Sequence, residues 1–304
     1  MQDPQPEFRP EPGVAESLGP DLRRLVAPNP SPMTFRGTNT YLLGTTELAV
    51  IDPGPALPDH LGAILRAVAP GQRITHILVT HAHLDHSPLA RPLSEATGAP
   101  VHAFGDARAG RSAVMQALAD SGLAGGGEGV DAGFAPDVIL ADGDRIEARG
   151  WSVEALHTPG HFCNHLCFAR GDTLFSGDLV MGWASSLVSP PDGDLTAFMA
   201  SLDRLSGRDW QCFHPGHGAP VADPGRRVAD LLAHRKARET AILAALADGP
   251  SDARSLAHRI YTDTPPALLG AATRNVLAHL IDLTTRDQVT PTPRLSETAV
   301  FSMT

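Results

Sequence analysis

The sequence predicts an α/β or α+β fold with layered sheets, followed by a mainly helical C-terminal region. Short apolar runs alternate with amphipathic segments on both sides of a histidine-rich segment at residues 80–86. After residues 222–225 (Ala-Asp-Pro-Gly), apolar residues recur at three- and four-residue spacing, which indicates helices. The chain of 304 residues suffices for one large domain or two of ordinary size, and its hydrophobic content of 42% is typical of a globular protein.

The first 225 residues contain most of the predicted strands. Residues 1–30 are rich in proline and predict irregular structure, and the glycine-rich stretch Gly122–Gly133 predicts a flexible linker because it lacks phosphate-loop residues. The predicted helices are His60–Val68, Leu89–Thr97 and Ala107–Leu118. The predicted strands are Thr40–Leu43, Leu48–Ile51, Ile74–Val79, Pro100–Phe104, Val138–Leu140, Trp151–Leu156, His165–Ala169 and Thr173–Ser176.

The C-terminal region predicts three helices and two short strands. A long helix follows residue 226, a second covers Ser251–Tyr261 with Ser251 as its N-cap, and a third contains Leu269 to Leu283. The strands are expected near Gln288–Thr292 and Thr298–Ser302. This pattern fits a winged-helix-like module or a plain helical cap, so we predict two domains, residues 1–225 and 226–304.

The charge is unevenly distributed between these two parts. Residues 1–225 carry 14 basic and 26 acidic residues, whereas residues 226–304 carry 10 basic and 8 acidic residues. The acidic part should repel nucleic-acid backbones except where a bound metal reverses the local sign, and the mildly basic tail is too weak to predict tight phosphate binding.

The segment Thr80–His86 carries the strongest functional signal. Four potential metal ligands, His81, His83, Asp85 and His86, follow directly after an apolar run that predicts a buried strand. Because side-chain direction repeats every two residues in an extended chain, His81 and His83 can face one metal, while Asp85 and His86 can face a second. These ligands suit Zn²⁺ and also Mn²⁺ or Fe²⁺; the alternative is a polar loop that binds nothing.

Three further turns at strand ends each present one ligand. Thr158-Pro159-Gly160 turns sharply before His161, and a similar Pro-Gly turn precedes His217. Asp178 follows the predicted strand Thr173–Ser176. Ligand sites in α/β proteins lie at such strand ends. With these three ligands added to the four of residues 80–86, the sequence predicts a site for two metal ions.

The motifs HAHLDH, TPGH, SGD and PGHG follow one another in an order that resembles that of the metallo-β-lactamase-fold hydrolases. The motif DPG, which begins at Asp52, adds to this resemblance. The resemblance implies a four-layer αβ/βα sandwich over roughly residues 20–225. It also implies that His81, His83 and His161 hold one metal, that Asp85, His86 and His217 hold the other, and that Asp178 bridges them. Asp52 would orient the metal loop from outside the ligand set.

A closer resemblance is to the subfamily with a C-terminal winged-helix domain, whose animal members are called β-lactamase-like protein two. It favours a winged helix over a plain cap and implies, for the animal members, endoribonuclease activity on single-stranded RNA. The stretches that carry it are Asn29–Pro32, Gly37–Tyr41, Thr158–His165, Gly177–Trp183, Ser189–Asp194 and Ala278–Leu280.

These motifs predict a binuclear zinc-dependent hydrolase that uses a metal-bridging hydroxide on an ester, thioester or phosphodiester. The candidate catalytic residues are Asp85, Asp178 and His165, where His165 either protonates a leaving group or supports a metal ligand. Trp183 either lines the substrate site or packs in the core. A hydroxyacylglutathione hydrolase-like thioesterase is the alternative enzyme, and a non-catalytic nucleic-acid-binding regulator is the alternative from another class. β-Lactam hydrolysis is disfavoured because Asp178 stands where a Cys would indicate resemblance to a true β-lactamase.

The remaining expectations concern location and partners. Three cysteines cannot form a disulfide framework, and Met1–Val14 lacks the basic and apolar regions of a secretory signal, so we predict a cytoplasmic protein. No apolar run is long enough for a membrane helix. The expected partners are a small ester or thioester, or single-stranded RNA, with a possible homodimer.

Overall fold

The computed structural model describes residues 3–126 and 129–304. Residues 1 and 2 of the predicted irregular segment and residues 127 and 128 of the predicted linker lie outside the described residues.

The first sheet has seven strands in chain order. Its first four strands are joined antiparallel, and the remaining pairs are parallel, so the carboxyl ends of the later strands meet at one edge. The strands are β1 (Glu16–Gly19), β2 (Leu22–Val26), β3 (Asn39–Leu43), β4 (Glu47–Ile51), β5 (Arg73–Leu78), β6 (Val101–Ala103) and β7 (Val138–Ile139).

The second sheet has five strands, with the last strand in the chain paired parallel to its neighbour and all other pairs antiparallel. Its strands are β8 (Arg145–Ala148), β9 (Trp151–His157), β10 (Leu166–Arg170), β11 (Thr173–Gly177) and β12 (Cys212–Pro215), in the spatial order β12-β11-β10-β9-β8.

Helices cover the outer faces of the two sheets and give four layers. Helices α1 (Pro58–Arg66) and α2 (Ala90–Thr97) bury Ile64 and Leu93 against the first sheet. Tyr41, Trp151 and Phe168 belong to the apolar cluster between the sheets. Helix α4 (Leu195–Ser206) and the start of α5 (Pro224–Ala247) cover the second sheet. The order helix–sheet–sheet–helix is the predicted four-layer sandwich.

The C-terminal region is a winged helix. Helices α6 (Ala253–Ile260) and α7 (Leu269–Thr285) pack together, with a short 3₁₀ helix, Pro266–Leu268, between them. Strands β13 (Ser251–Asp252), β14 (Val289–Thr292) and β15 (Val300–Met303) form a three-stranded sheet. Helix α3 (Ala113–Asp120) joins this core through two buried residues, Met115 and Leu118.

Several elements differ from the sequence-based predictions. The segment predicted to be irregular contains β1 and β2, because the proline-free run Leu22–Val26 pairs with β3 and buries three apolar side chains. The prediction missed three strands, the short edge strand β8, β12 and the two-residue β13, as well as helix α4. Asp252 caps α6 in place of Ser251, since its side chain accepts the amide of Ser255. Helix α3 begins at Ala113 rather than Ala107 because Ser112 caps it.

Helix α5 is continuous across the predicted domain boundary. Its first half belongs to the core of the sandwich through Val228 and Leu231, and its second half belongs to the winged-helix core through Ile242 and Leu246. The division at residue 225 therefore stays a prediction. None of the helices in the described parts of the chain combines the length and apolar composition needed to cross a bilayer.

Candidate metal centre

The seven predicted ligands come together at the ends of strands from both sheets. The loop after β5 carries His81, His83, Asp85 and His86, and turns after β9, β11 and β12 carry the other three. Every one of the seven is buried, with at most 8% of its surface exposed. The remaining three are His161, Asp178 and His217.

Three histidines form the first ligand group. His83 Nδ1 lies 2.9 Å from His81 Nε2 and 3.1 Å from His161 Nε2. Nitrogen ligands about 2.0–2.1 Å from a tetrahedral zinc lie roughly 3.3 Å from one another, so this spacing is close to that of three ligands of one ion. The ligand atoms of these three histidines are therefore close enough to one another to hold one metal ion.

Asp85, His86 and His217 form a second group. His217 Nε2 lies 3.2 Å from Asp85 Oδ2 and 3.3 Å from His86 Nε2. Asp178 lies between the two groups: one carboxylate oxygen is 3.2 Å from His217 Nε2 and 3.7 Å from His161 Nε2. The carboxylate can therefore reach ions in both groups.

Hydrogen bonds on the far side of the imidazoles set their tautomers. His161 Nδ1 donates to the carbonyl of Leu187 at 2.7 Å, and His217 Nδ1 donates to the carbonyl of Gly37 at 3.2 Å. His86 Nδ1 lies 2.9 Å from Asp52 Oδ2. Each contact leaves the Nε2 lone pair directed into the site, which is the arrangement that metal-binding histidines require.

The charges in the site also fit a bound cation. Burial raises the pKa values of Asp85 and Asp178, but the neighbouring His86 and His217 outweigh it and hold both pKa values well below the usual range. Burial lowers the pKa of His83 to about 3, so that ring is neutral. Among the described residues, Asp85 Oδ1 and Asp178 Oδ1 have no hydrogen-bond partner. Burial alone would lower the pKa values of His86 and His217, but the two carboxylates raise them, so the protonated rings balance a negative charge that a metal ion could balance instead. Buried, ionised carboxylate oxygens without a hydrogen-bond partner, close to the neutral ring of His83, suit divalent metal ions.

His165 lies behind this site. Its Nε2 accepts the backbone amide of Asp178 at 3.2 Å, and its Nδ1 lies 3.1 Å from the hydroxyl of Thr158. The ring is fully buried, and burial holds its pKa well below the ordinary value. Both nitrogens are thus engaged, which disfavours the predicted role as proton donor to a leaving group.

Residues outside the predicted set also shape the site. Thr80 donates its amide and its hydroxyl to Asp52, each at 2.7 Å, and its hydroxyl lies 2.9 Å from His81 Nδ1. A Cβ on Gly216 would lie 2.3 Å from Asp178 Oδ1, so the Pro-Gly-His turn needs a glycine. The place of Thr80 directly before His81 is the one sequence signal that could have indicated its role.

A cavity of about 950 Å³ opens onto the metal centre. It reaches His83, His161 and Asp178 at one end and extends to the winged-helix region at the other. Trp183 is half-buried, lies on its wall and stacks on Phe35 with ring centroids 5.0 Å apart, so it lines the cavity and belongs to none of the apolar core clusters that the described residues form.

The histidines that were not assigned to the metal lie elsewhere. His76 and His102 contact each other on the first sheet, His76 also contacts Trp151 of the second sheet, and His157 stacks on Phe104. His214 contacts Tyr41 and Phe175 between the sheets. These residues are part of the core packing.

Comparisons with known proteins agree with this architecture. Residues 33–229 match the metallo-beta-lactamase superfamily, and residues 253–294 match the beta-lactamase associated winged helix domain. The chain is 32% identical to the beta-lactamase-like protein 2 homolog of Drosophila melanogaster, over 86% of each chain. It is 29% identical to an atrochrysone carboxyl ACP thioesterase of Cryptosporiopsis sp. (strain 8999), over 80% of this chain and 68% of the relative.

Two solved structures share the whole fold. A beta-lactamase domain protein from Burkholderia ambifaria superposes with a TM-score of 0.81 at 22% identity, covering 99% of this chain and 96% of that one. A metallo-beta-lactamase family protein from Thermus thermophilus superposes with a TM-score of 0.75 at 27% identity, covering 95% and 100%. With its histidine and aspartate cluster and its winged helix, the chain belongs to the metallo-β-lactamase superfamily and is a metal-dependent hydrolase of it.

Proposed function

We propose that this chain is a binuclear zinc-dependent hydrolase that cleaves a thioester. The observation that carries the proposal is that Asp178 lies between two ligand groups and, with His83 and His161, lines one largely apolar cavity. His81, His83 and His161 would hold the first ion, Asp85, His86 and His217 the second, and Asp178 would contact both. Two bound zinc ions would supply a water nucleophile at neutral pH and a Lewis acid for the carbonyl oxygen.

The surrounding residues keep the ligands in place. Asp52, Gly37 and Leu187 accept the outer N–H groups of His86, His217 and His161, so each ring presents Nε2 to the site. We assign His165 a positioning role, because it holds the backbone of Asp178 and does not line the cavity. Asp178 and Asp85 act as ligands that stay ionised at neutral pH.

The cavity favours a thioester over RNA. Single-stranded RNA binding needs cationic side chains that contact phosphates. Among the cavity-lining residues that the structure describes, Arg36 is the one Arg or Lys side chain, and it is paired with Asp3. The same pairing disfavours a clamp for the two carboxylates of glutathione. The names of fungal relatives as thioesterases give independent support.

The alternatives remain testable. A non-catalytic regulator is disfavoured because all seven ligand positions carry metal-binding side chains that face one another. Cleavage of single-stranded RNA, which the sequence resemblance implied for the animal members of the subfamily, stays a prediction. Homodimer formation and a cytoplasmic location stay predictions.

Metal analysis combined with parallel assays tests the proposal. Protein purified without chelator and reloaded with Zn²⁺ should contain about two zinc ions per chain, as the two ligand groups require. It should hydrolyse S-octanoyl-N-acetylcysteamine faster than S-lactoylglutathione, and it should leave a single-stranded RNA oligonucleotide intact.

A matched pair of variants links activity to the site. Asp178→Asn should lose at least one zinc ion and most turnover, because the amide cannot supply a charged ligand to both groups. Asp209→Asn, on the exposed surface, should behave as the parent. Cleavage of the RNA but of neither thioester, or full turnover by Asp178→Asn, would contradict the proposal.

A further inference from the structure

We propose that the cavity is the binding pocket for a bulky apolar acyl group and that the winged-helix domain determines which acyl groups fit. The inference rests on the proposed thioesterase function and adds the class of substrate. The residues that would set acyl size lie on the segment Tyr261–Asn275, which includes the 3₁₀ helix and the first turns of α7.

The size of the cavity is the first argument. A volume of about 950 Å³ is at the upper end of the range for small-molecule pockets, roughly 300–1,000 Å³, and far exceeds what an acetyl or lactoyl group fills. Much of its lining is apolar. The apolar lining comes from three parts of the chain: Met33 and Phe35, Met181 and Leu187, and Leu268 with neighbouring residues of the winged helix.

The neutralised charges are the second argument. Asp3 is paired with Arg36, and Asp192 is paired with Arg111 at 2.8 Å. The other carboxylate on the wall, Asp178, belongs to the metal centre. The pocket therefore offers apolar surface and no unpaired charge away from the metal ligands in the part of the wall that the structure describes. The polar carrier part of a thioester would stay hydrated outside the opening of the cavity. The apolar acyl group would bind inside, because moving it out of water lowers the free energy.

The third argument is that the winged-helix wall is firmly attached. Arg235 is buried to 1% exposure and donates to the carbonyl of Ser186 and, at 3.0 Å, to Asn275 Oδ1. The same Asn275 oxygen accepts the amide of Val188 at 3.1 Å, and Arg274 Nε donates to Ser189 Oγ at 3.0 Å. These bonds tie α5 and α7 to the loop that orients His161, so the wall has a set distance from the metal centre.

A substitution on this wall tests the inference. Ala271 lines the cavity and is half-buried, so Ala271→Trp would fill part of the pocket. If this variant does not fold, Ala267→Trp takes its place, because Ala267 is exposed on the 3₁₀ helix and lines the same end of the cavity. The matched control is Ala244→Trp, on an exposed face of α5 away from the cavity. The probes are the acetyl, octanoyl and 2-naphthoyl thioesters of N-acetylcysteamine.

We expect the parent to prefer the naphthoyl over the acetyl thioester by at least about tenfold in kcat/KM, since burial of apolar area stabilises the bound state. Ala271→Trp should lower the ratio of naphthoyl to acetyl kcat/KM by about tenfold or more, and Ala244→Trp should keep the parent ratio. A parent without acyl preference, or an unchanged ratio in both cavity variants, would overturn the inference.

A binding measurement separates this inference from the proposed function. N-(2-acetamidoethyl)-2-naphthamide has an amide in place of the thioester and can be titrated calorimetrically into zinc-loaded and metal-free protein. It should bind the parent and Ala244→Trp, and it should bind Ala271→Trp about tenfold more weakly. If no thioester is cleaved but this pattern holds, the thioesterase proposal fails and the apolar pocket stands. If the amide does not bind the parent, the pocket inference fails even when thioesters are cleaved.

Discussion

At the level of single residues, Asp52 connects the backbone of the metal loop to a metal ligand. Its carboxylate accepts the amide and hydroxyl of Thr80 and faces His86 Nδ1. Its backbone has a φ of 50°, a left-handed conformation that Asp and Asn tolerate better than most residues. This conformation turns the chain after β4 and directs the side chain to the strand-end loop.

The first prediction concerns this residue. Asp52→Asn should keep the backbone turn but lose the charge that orients His86, so zinc affinity should fall by about 10–100-fold. Competition with a chromogenic chelator measures this affinity. Asp59→Asn in the first turn of α1 is the control and should bind zinc as the parent does. Equal affinities for the two variants would exclude a role for Asp52 in orienting the ligand.

The second prediction separates the two roles of His165. In a positioning role, His165→Gln should lower kcat, since a flexible glutamine side chain holds the amide of Asp178 less firmly than the packed imidazole, and the shape of the pH–rate profile should stay unchanged. Thr158→Val removes the other partner of the ring and should have a weaker effect of the same kind. A lost limb of the pH profile in His165→Gln alone would instead support general acid catalysis.

The third prediction concerns His279, a buried histidine of α7. Burial and the nearby charges of Arg235, His234, Arg286 and Arg238 lower its pKa to about 3, and neither ring nitrogen has a partner among the described residues. The folded state therefore favours the neutral ring. The stability from this group is fully present above the ordinary pKa of about 6.5 and is lost as the pH falls below it.

When the pH falls from 7 to 5, His279 should lower the free energy of unfolding by about 2 kcal/mol. In His279→Leu, that part of the acid destabilisation should disappear, as measured by urea unfolding at the two pH values. His258→Leu, on the exposed face of α6, should keep the parent's pH dependence. If His279→Leu loses as much stability as the parent, this histidine is not buried as a neutral group.

At the level of elements, the metal loop and α5 differ in how much the sequence reveals about them. The strand before the metal loop and its ligands were predicted because the apolar run and the polar residues are adjacent in the chain. The role of α5 was not predictable. Its buried Arg235 lies among charged residues in a helical pattern, and its partners Ser186 and Asn275 are about 40–50 residues away in the sequence.

The fourth prediction concerns the connection that α5 makes. Arg235→Met removes the donor to the carbonyl of Ser186 and one of the two donors to Asn275 Oδ1, and a buried acceptor left without a partner costs about 1–3 kcal/mol. We expect a loss of that size in the free energy of unfolding and faster hydrogen exchange at residues 181–188. Lys236→Met, at the exposed neighbouring position, should change neither quantity. Unaltered exchange in Arg235→Met would show that the loop does not depend on α5.

At the level of the whole molecule, the sandwich and the winged helix share elements. Helix α5 contributes to the cores of both, and α3 of the first part packs its Met115 and Leu118 into the second core. Charged hydrogen bonds from Arg274 and Arg235 cross the same boundary. Because the two cores share α5, we expect that neither loses its structure alone.

The fifth prediction follows from this sharing. Thermal unfolding of the zinc-loaded protein should be a single transition, with differential scanning calorimetry and far-ultraviolet circular dichroism, which report on both parts, giving the same midpoint. Two separate transitions would show that the predicted domains, residues 1–225 and 226–304, unfold independently.

The sequence by itself determined the type of fold, the seven candidate ligands and the class of chemistry. It could do so because strand patterns and Pro-Gly-His turns are local, and because metal ligands must be of a few residue types. Only the tertiary structure decided that Asp178 lies between the two ligand groups, that His165 faces away from the cavity, and that an apolar pocket joins the metal centre to the winged helix. These features depend on residues far apart in the chain, such as Phe35, Trp183 and Leu268, whose proximity no local pattern reveals.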